Sequence, residues 1–125
     1  MSHLSKIKTK FKNLDTLKST LESMQCECVV GDNLSLNSAY QSGQKVDMLV
    51  HPENVEYGYG QSKTVDFMGY ALTEDGTYEL LGDDYGMQNT KTREYFSFDK
   101  FGKEVTKKYA RNEVVNQFNL NPELS

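Results

Sequence analysis

Of the side chains that most often carry redox, metal or nucleophilic chemistry, the 125-residue chain has few: two cysteines and two histidines. Cys26 and Cys28, two positions apart, exclude a disulfide framework and fit a reducing compartment. Long apolar runs are missing too. Nothing approaches the ~20 consecutive apolar residues of a membrane span, and the opening MSHLSKIKTK has no apolar run of the kind a secretory signal carries after its first charges. The expectation is a soluble, cytoplasmic or stromal protein that makes no membrane contact. Phosphate-cradling glycine loops, a nucleophile elbow and a His-Glu-x-x-His zinc helix are also absent. EYGYGQ, residues 56–61, echoes a glycine-rich loop, but Gly58 and Gly60 are not followed by a third glycine opening a helix. No cofactor is implied, and no enzyme is nominated.

What is present is a globular composition, 37% hydrophobic and 26% charged. A chain of this length buries roughly two thirds of its unfolded surface in one core, so the sequence reads as a single α+β domain over residues 1–118 with a polar tail, 119–125. The net charge of -4 argues against a generic nucleic-acid binder, yet the charge is unevenly placed. Lys6, Lys8, Lys10, Lys12 and Lys18 face only Asp15 in the first 18 residues. From residue 53 to 84 eight acidic residues face Lys63 alone.

SKIKTKFK alternates strictly, with Ser5, Ile7, Thr9 and Phe11 on one side of an extended strand and Lys6, Lys8, Lys10 and Lys12 on the other. Asn13 is placed to cap a helix whose apolar face is Leu14, Leu17, Leu21 and Met24. CECVVG reads as a second strand, residues 33–44 as a polar loop, and KVDMLV as a third strand stopping before Pro52. In VDFMGYALTEDGTYELLG, a three-residue turn at Glu74, Asp75 and Gly76 pairs Thr73 with Thr77, Leu72 with Tyr78 and Tyr70 with Leu80. Met68, Tyr70, Leu72, Tyr78 and Leu80 then share one face, and Phe67, Ala71, Glu79 and Leu81 the other. Phe98, Phe101, Val105 and Tyr109 mark a second helix capped by Ser97, despite Gly102, and Val114, Val115 and Phe118 a short third one. The fold class is α+β: an antiparallel sheet of four to five strands with two to three helices packed mainly on one face.

Four constellations compete for a functional role. Gly82, Asp83, Asp84, Tyr85 and Gly86 follow the hairpin, where turn geometry favours Gly and Asp. A divalent-cation site would need a longer series of spaced ligands than this. Cys26 and Cys28 share a strand face about 7 Å apart, but a zinc site needs four ligands and only His3 and His51 remain, so buried packing is favoured. His3 stands just before the first strand, and a lone histidine is more often a surface or packing residue than a catalyst. The lysine row, Lys6, Lys8, Lys10 and Lys12, would bind a polyanion if exposed, or would guard a sheet edge against aggregation.

MSHLSKIKTKFKNLDTLKSTLESM resembles the Met-Ser-His opening, charged first strand and capped helix of the hypothetical chloroplast reading frame thirty-five proteins, a family of unknown function found in plastid genomes, cyanobacteria and some phages. VDFMGYALTEDGTYELLGDDYGM is similar to that family's central hairpin, and KKYA, residues 107–110, to the Arg-Tyr-Ala closing its next helix. Asp83, Tyr85 and Gly86 match positions of the family pattern, so the turn at Asp83, Asp84, Tyr85 and Gly86 is a candidate functional turn. The resemblance implies no activity, cofactor, metal or catalytic residue. Family members usually continue beyond the last helix into a further pair of strands, so the resemblance implies a shortened, phage-type member, working in the host cytosol, or in the stroma if plastid-encoded. The expected function is that of a non-enzymatic interaction or adaptor protein acting in a homo- or hetero-oligomer. The alternative is binding of nucleic acid or another polyanion through Lys6, Lys8, Lys10 and Lys12.

Overall fold

The computed structural model describes residues 4–37, 42–57, 66–83 and 87–120. Along the chain these form β1 (Leu4–Lys8), α1 (Leu14–Ser23), β2 (Cys26–Asn37), β3 (Ser42–Pro52), β4 (Val55–Tyr57), β5 (Met68–Leu72), β6 (Tyr78–Asp83), β7 (Met87–Asn89) and α2 (Phe98–Leu120). Five strands make one sheet in the order β1-β6-β5-β3-β2, and every neighbouring pair is antiparallel. β4 and β7 form a separate two-stranded ribbon. With two helices on the five-stranded sheet, the fold is α+β as the sequence pattern implies.

The central hairpin has the register its alternation demands. Tyr70 pairs with Leu80 and Leu72 with Tyr78, the Thr73 amide donates to the Thr77 carbonyl at 2.8 Å, and Gly76 takes a φ of 85°. Met68, Tyr70 and Leu80 are fully buried against both helices, in one cluster with Leu17, Leu21, Phe98, Phe101, Val105 and Tyr109. This is the helix-covered face. The opposite, outer face carries a second, smaller cluster of Leu36, Val46, Leu49 and Leu81. Phe67 was expected on that outer face; it precedes β5 and packs instead into the helix-side cluster.

Capping follows the sequence closely. The Asn13 side chain accepts from the Thr16 amide at 3.1 Å, and the Ser97 hydroxyl from the Lys100 amide at 3.2 Å. The helices are then tied to each other and to the chain entering α1. The Tyr109 hydroxyl accepts from the Lys12 and Asn13 amides at 3.2 and 3.0 Å, and the Asn112 side chain donates to Thr20 Oγ1 at 2.7 Å.

Three expectations need correction. Of the expected polar loop over residues 33–44, residues 33–37 and 42–44 are strand: β2 runs on to Asn37 and β3 starts at Ser42, because Leu34 and Leu36 alternate with serine and asparagine and Leu36 is buried in the outer cluster. β3 does not stop before Pro52, which is its last residue and sits opposite Cys26; a proline at a strand end removes at most one ladder bond. Val114 and Val115 belong to no third helix, since α2 continues unbroken from Phe98 to Leu120.

Candidate functional site

The sheet has two outer strands, β1 and β2, and among the described residues no further strand pairs with either. Register fixes which side chains each presents. On β1, Ile7 lies opposite Leu80 and so shares the helix-covered face, while Lys6 lies opposite Leu81 and Lys8 opposite Glu79, on the outer face. Lys6, Lys8, Lys10 and Lys12 are all exposed, although β1 itself ends at Lys8. Lys8 does not stand in a purely basic field. It lines an open groove of about 420 Å³ together with Glu74, Asp75, Thr77 and Glu79. Hydrogen bonds from the Thr73 and Thr77 side chains and from the Thr77 amide hold the Asp75 carboxyl down to about 2, so it stays ionised beside the lysine.

β2 presents a different edge. Over residues 26–30 it pairs regularly with β3, and then two extra residues enter before Leu34 pairs with Val46. Glu27 faces His51 and Val29 faces Leu49, which puts Glu27 and Val29 on the outer face. Cys28 joins the helix-side cluster. Val29 and Val30 are 40% and 48% exposed, two large apolar side chains in succession on an edge with which no further strand pairs among the described residues. Such an edge is a template for another strand unless it is charged, covered or bent away. Here the register shifts after Val30, leaving residues 26–30 as the regular part of the edge.

The cysteines on β2 point to packing. Cys26 is buried and Cys28 partly so. Burial, reinforced by the neighbouring Cys28, pushes the Cys26 thiol up to about 12; burial, with Glu22 and Glu27 nearby, pushes Cys28 up to about 11, against the opposing pull of Lys18. Both therefore stay protonated at neutral pH. Among the described residues no group of three or more His, Cys, Asp or Glu side chains could hold a metal ion.

The candidate turn after the hairpin is only partly within the described residues. Asp83 is the last residue of β6, opposite Leu4, whereas Asp84, Tyr85 and Gly86 lie outside the described residues, as does His3. Gly82 has a clear structural reason to be glycine: a Cβ there would lie 2.6 Å from the Phe98 ring and 3.1 Å from the Phe67 carbonyl oxygen. The strand ends where the start of α2 presses on it.

One polar pair was not singled out from the sequence. His51 Nε2 lies 2.8 Å from Asp66 Oδ1, and Asp66 is bound to Asn37 by two main-chain hydrogen bonds of 2.7 and 3.2 Å. Asp66 also borders a shallow cavity of about 330 Å³ with Asn33, Ser35, Asn37 and Leu49. The sequence separation of 15 between His51 and Asp66 hides this pairing from any local pattern. Its evident effect is to fasten the chain entering β5 to the outer face of β3.

Compared with known proteins, the chain is 29% identical over 119 residues to the Uncharacterized protein ycf35 of Guillardia theta, covering 95% of this chain and 80% of that protein. The chain is a distant relative of that protein. The resemblance drawn from its opening, its hairpin and KKYA is thereby borne out. No family model matches the chain, and no solved structure matches it. Since the ycf35 relative is itself described as uncharacterized, function has to be argued from this chain's own residues. No helix among the described residues is long and apolar enough to cross a membrane.

Proposed function

We propose that the protein is a small non-enzymatic interaction protein that takes up an extended segment of a partner along the open edge of β2. The observation that carries this reading is the pair of half-exposed valines, Val29 and Val30, on a stretch, residues 26–30, whose outer side no strand pairs with among the described residues. Main-chain hydrogen bonds from an added strand supply affinity, and side chains alternating above and below it supply specificity. On this reading Glu27 selects for positive charge on the outer face and Cys28 offers an apolar contact on the helix face. Panning a library of extended peptides on the whole protein tests it. The expected result is enrichment of peptides that slow amide exchange of residues 26–30 and that lose binding to Val29→Lys/Val30→Lys. Enriched peptides that protect other segments, or that bind the double variant equally well, would contradict it.

A second reading, binding of nucleic acid or another polyanion, draws on the exposure of Lys6 and Lys8 on β1 and of Lys10 and Lys12 just after it. Glu74, Asp75 and Glu79 crowd Lys8 and weaken it. Binding of this kind falls steeply with salt. Four Lys→Glu changes that leave low-salt affinity for single-stranded and duplex nucleic acid unaltered remove this reading.

A further inference from the structure

The two open edges of the sheet differ in charge and match in length. β1 (Leu4–Lys8) has five residues, and its basic character continues through Lys10 and Lys12. The regular part of β2, residues 26–30, has five as well, and β2 carries Glu27 and Asp32 with no basic residue. We infer that the strand received by β2 is β1 of a second copy of this chain, so that copies join edge to edge in a directional, open-ended series. This inference rests on the strand-adding reading of the β2 edge and deepens it by naming the occupant.

Direction and facing decide between the ways two copies could meet. Strand polarity alternates along the order β1-β6-β5-β3-β2, so β1 and β2, four places apart, run the same way. A second copy placed beside the first with its helices on the same side therefore brings its β1 parallel to β2. In that arrangement Lys6 and Lys8 of the second copy fall on the same outer face as Glu27 and Val29, and its Ile7 on the same helix-covered face as Cys28. Opposite charge meets opposite charge, and apolar meets apolar.

The two-fold alternatives are poorer. Joining β1 to β1 sets Lys6 and Lys8 against the same lysines, and joining β2 to β2 antiparallel about Val29 and Val30 sets Glu27 near Asp32; like charges across a strand pair are destabilising. Lysines on an edge usually guard it against self-pairing. That guard works against a second basic edge and fails against an acidic one. Because the contact joins two different surfaces, it does not close after two copies.

The test is light scattering coupled to size exclusion on the whole protein over a concentration series, at low and high salt. The expected mass rises with concentration beyond that of a dimer and falls back toward 14.3 kDa as salt is added. Glu27→Lys alone and Lys6→Glu/Lys8→Glu alone each weaken association by about tenfold or more. Mixing these two variants restores it, since each then offers the edge the other lacks, and combining all three changes in one chain restores it too. Circular dichroism of each variant checks that these exposed substitutions leave the fold intact. A wild-type protein that remains a monomer throughout, a mass that levels off at a dimer, or variants that do not complement on mixing would each overturn the inference. If the chain stays monomeric while selected peptides still protect residues 26–30, only the identity of the occupant fails; if neither occurs, the reading of the β2 edge fails with it.

Discussion

Tyr109 shows how a single side chain can hold two elements together. Its hydroxyl accepts from the amides of Lys12 and Asn13, just ahead of α1, while its ring stacks on Phe11 with centroids 4.2 Å apart. Tyr109→Phe leaves both amides without that acceptor, and a loss of about 1–3 kcal/mol in chemical denaturation is expected. The thiols give a pH-dependent counterpart. Cys28, held up to about 11 against an ordinary value near 9, carries far less thiolate near pH 8 than a free cysteine, so alkylation of the folded protein should be slower than that of the unfolded chain by about tenfold or more. The sign for stability follows from the same shift. Both folded thiols hold their protons longer than the unfolded ones, so their contribution is complete below pH 9 and drains away as pH rises toward 11 to 12. A denaturation series from pH 9 upward should fall less steeply for Cys26→Ala/Cys28→Ala than for the wild type, the remaining fall coming from buried tyrosines such as Tyr70. Tyr70 is a different case: its buried hydroxyl meets no hydrogen-bonding group among the described residues, and burial pushes its ionisation up. Tyr70→Phe should be neutral or stabilising by about 1 kcal/mol.

At the scale of elements, what could be read from the sequence was whatever a short period or a cap encodes. The Asn13 and Ser97 caps and the turn at Glu74, Asp75 and Gly76 act within a few residues and are found where their patterns place them, while the alternation of Ile7 and Phe11 with the lysines persists in burial although β1 ends at Lys8. The apparent penalty of Gly102 in α2 has its reason in packing that no local pattern displays: a Cβ there would lie 3.0 Å from Ile7 on β1. The missed part of β2 is instructive in another way. Leu34 and Leu36 do alternate, but serine, asparagine and glycine around them mask a strand whose stability comes from Leu36, Val46, Leu49 and Leu81 meeting across three strands, β2, β3 and β6. The candidate site was legible only in its chemistry. The lysines, Glu27 and the two valines stand in the sequence, but which of them border an open edge depends on strand order, which arises from contacts far apart in the chain. Gly82 offers a direct check on packing between elements. Gly82→Ala pushes a methyl into the Phe98 ring and should cost about 1–3 kcal/mol, whereas the same change at Gly76, where nothing lies within 4 Å, acts only through its positive φ.

For the molecule as a whole, the sheet is completed on its helix side and left open at two ends of unlike character. α2 covers β1 and β6 near Ile7 and Leu80, α1 packs beside β2, and the outer face has its own small cluster. What remains unpaired among the described strands is one basic edge and one acidic edge with two exposed valines. The account therefore turns on whether residues 26–30 are an available strand edge. Amide hydrogen exchange of the whole protein, followed residue by residue from dilute to concentrated solution, measures this directly. The outward-facing amides of residues 26–30 should exchange quickly in dilute solution and slow as concentration rises, together with those of β1. Amides already protected in dilute solution, or exchange that does not change with concentration or with an added strand, would contradict it.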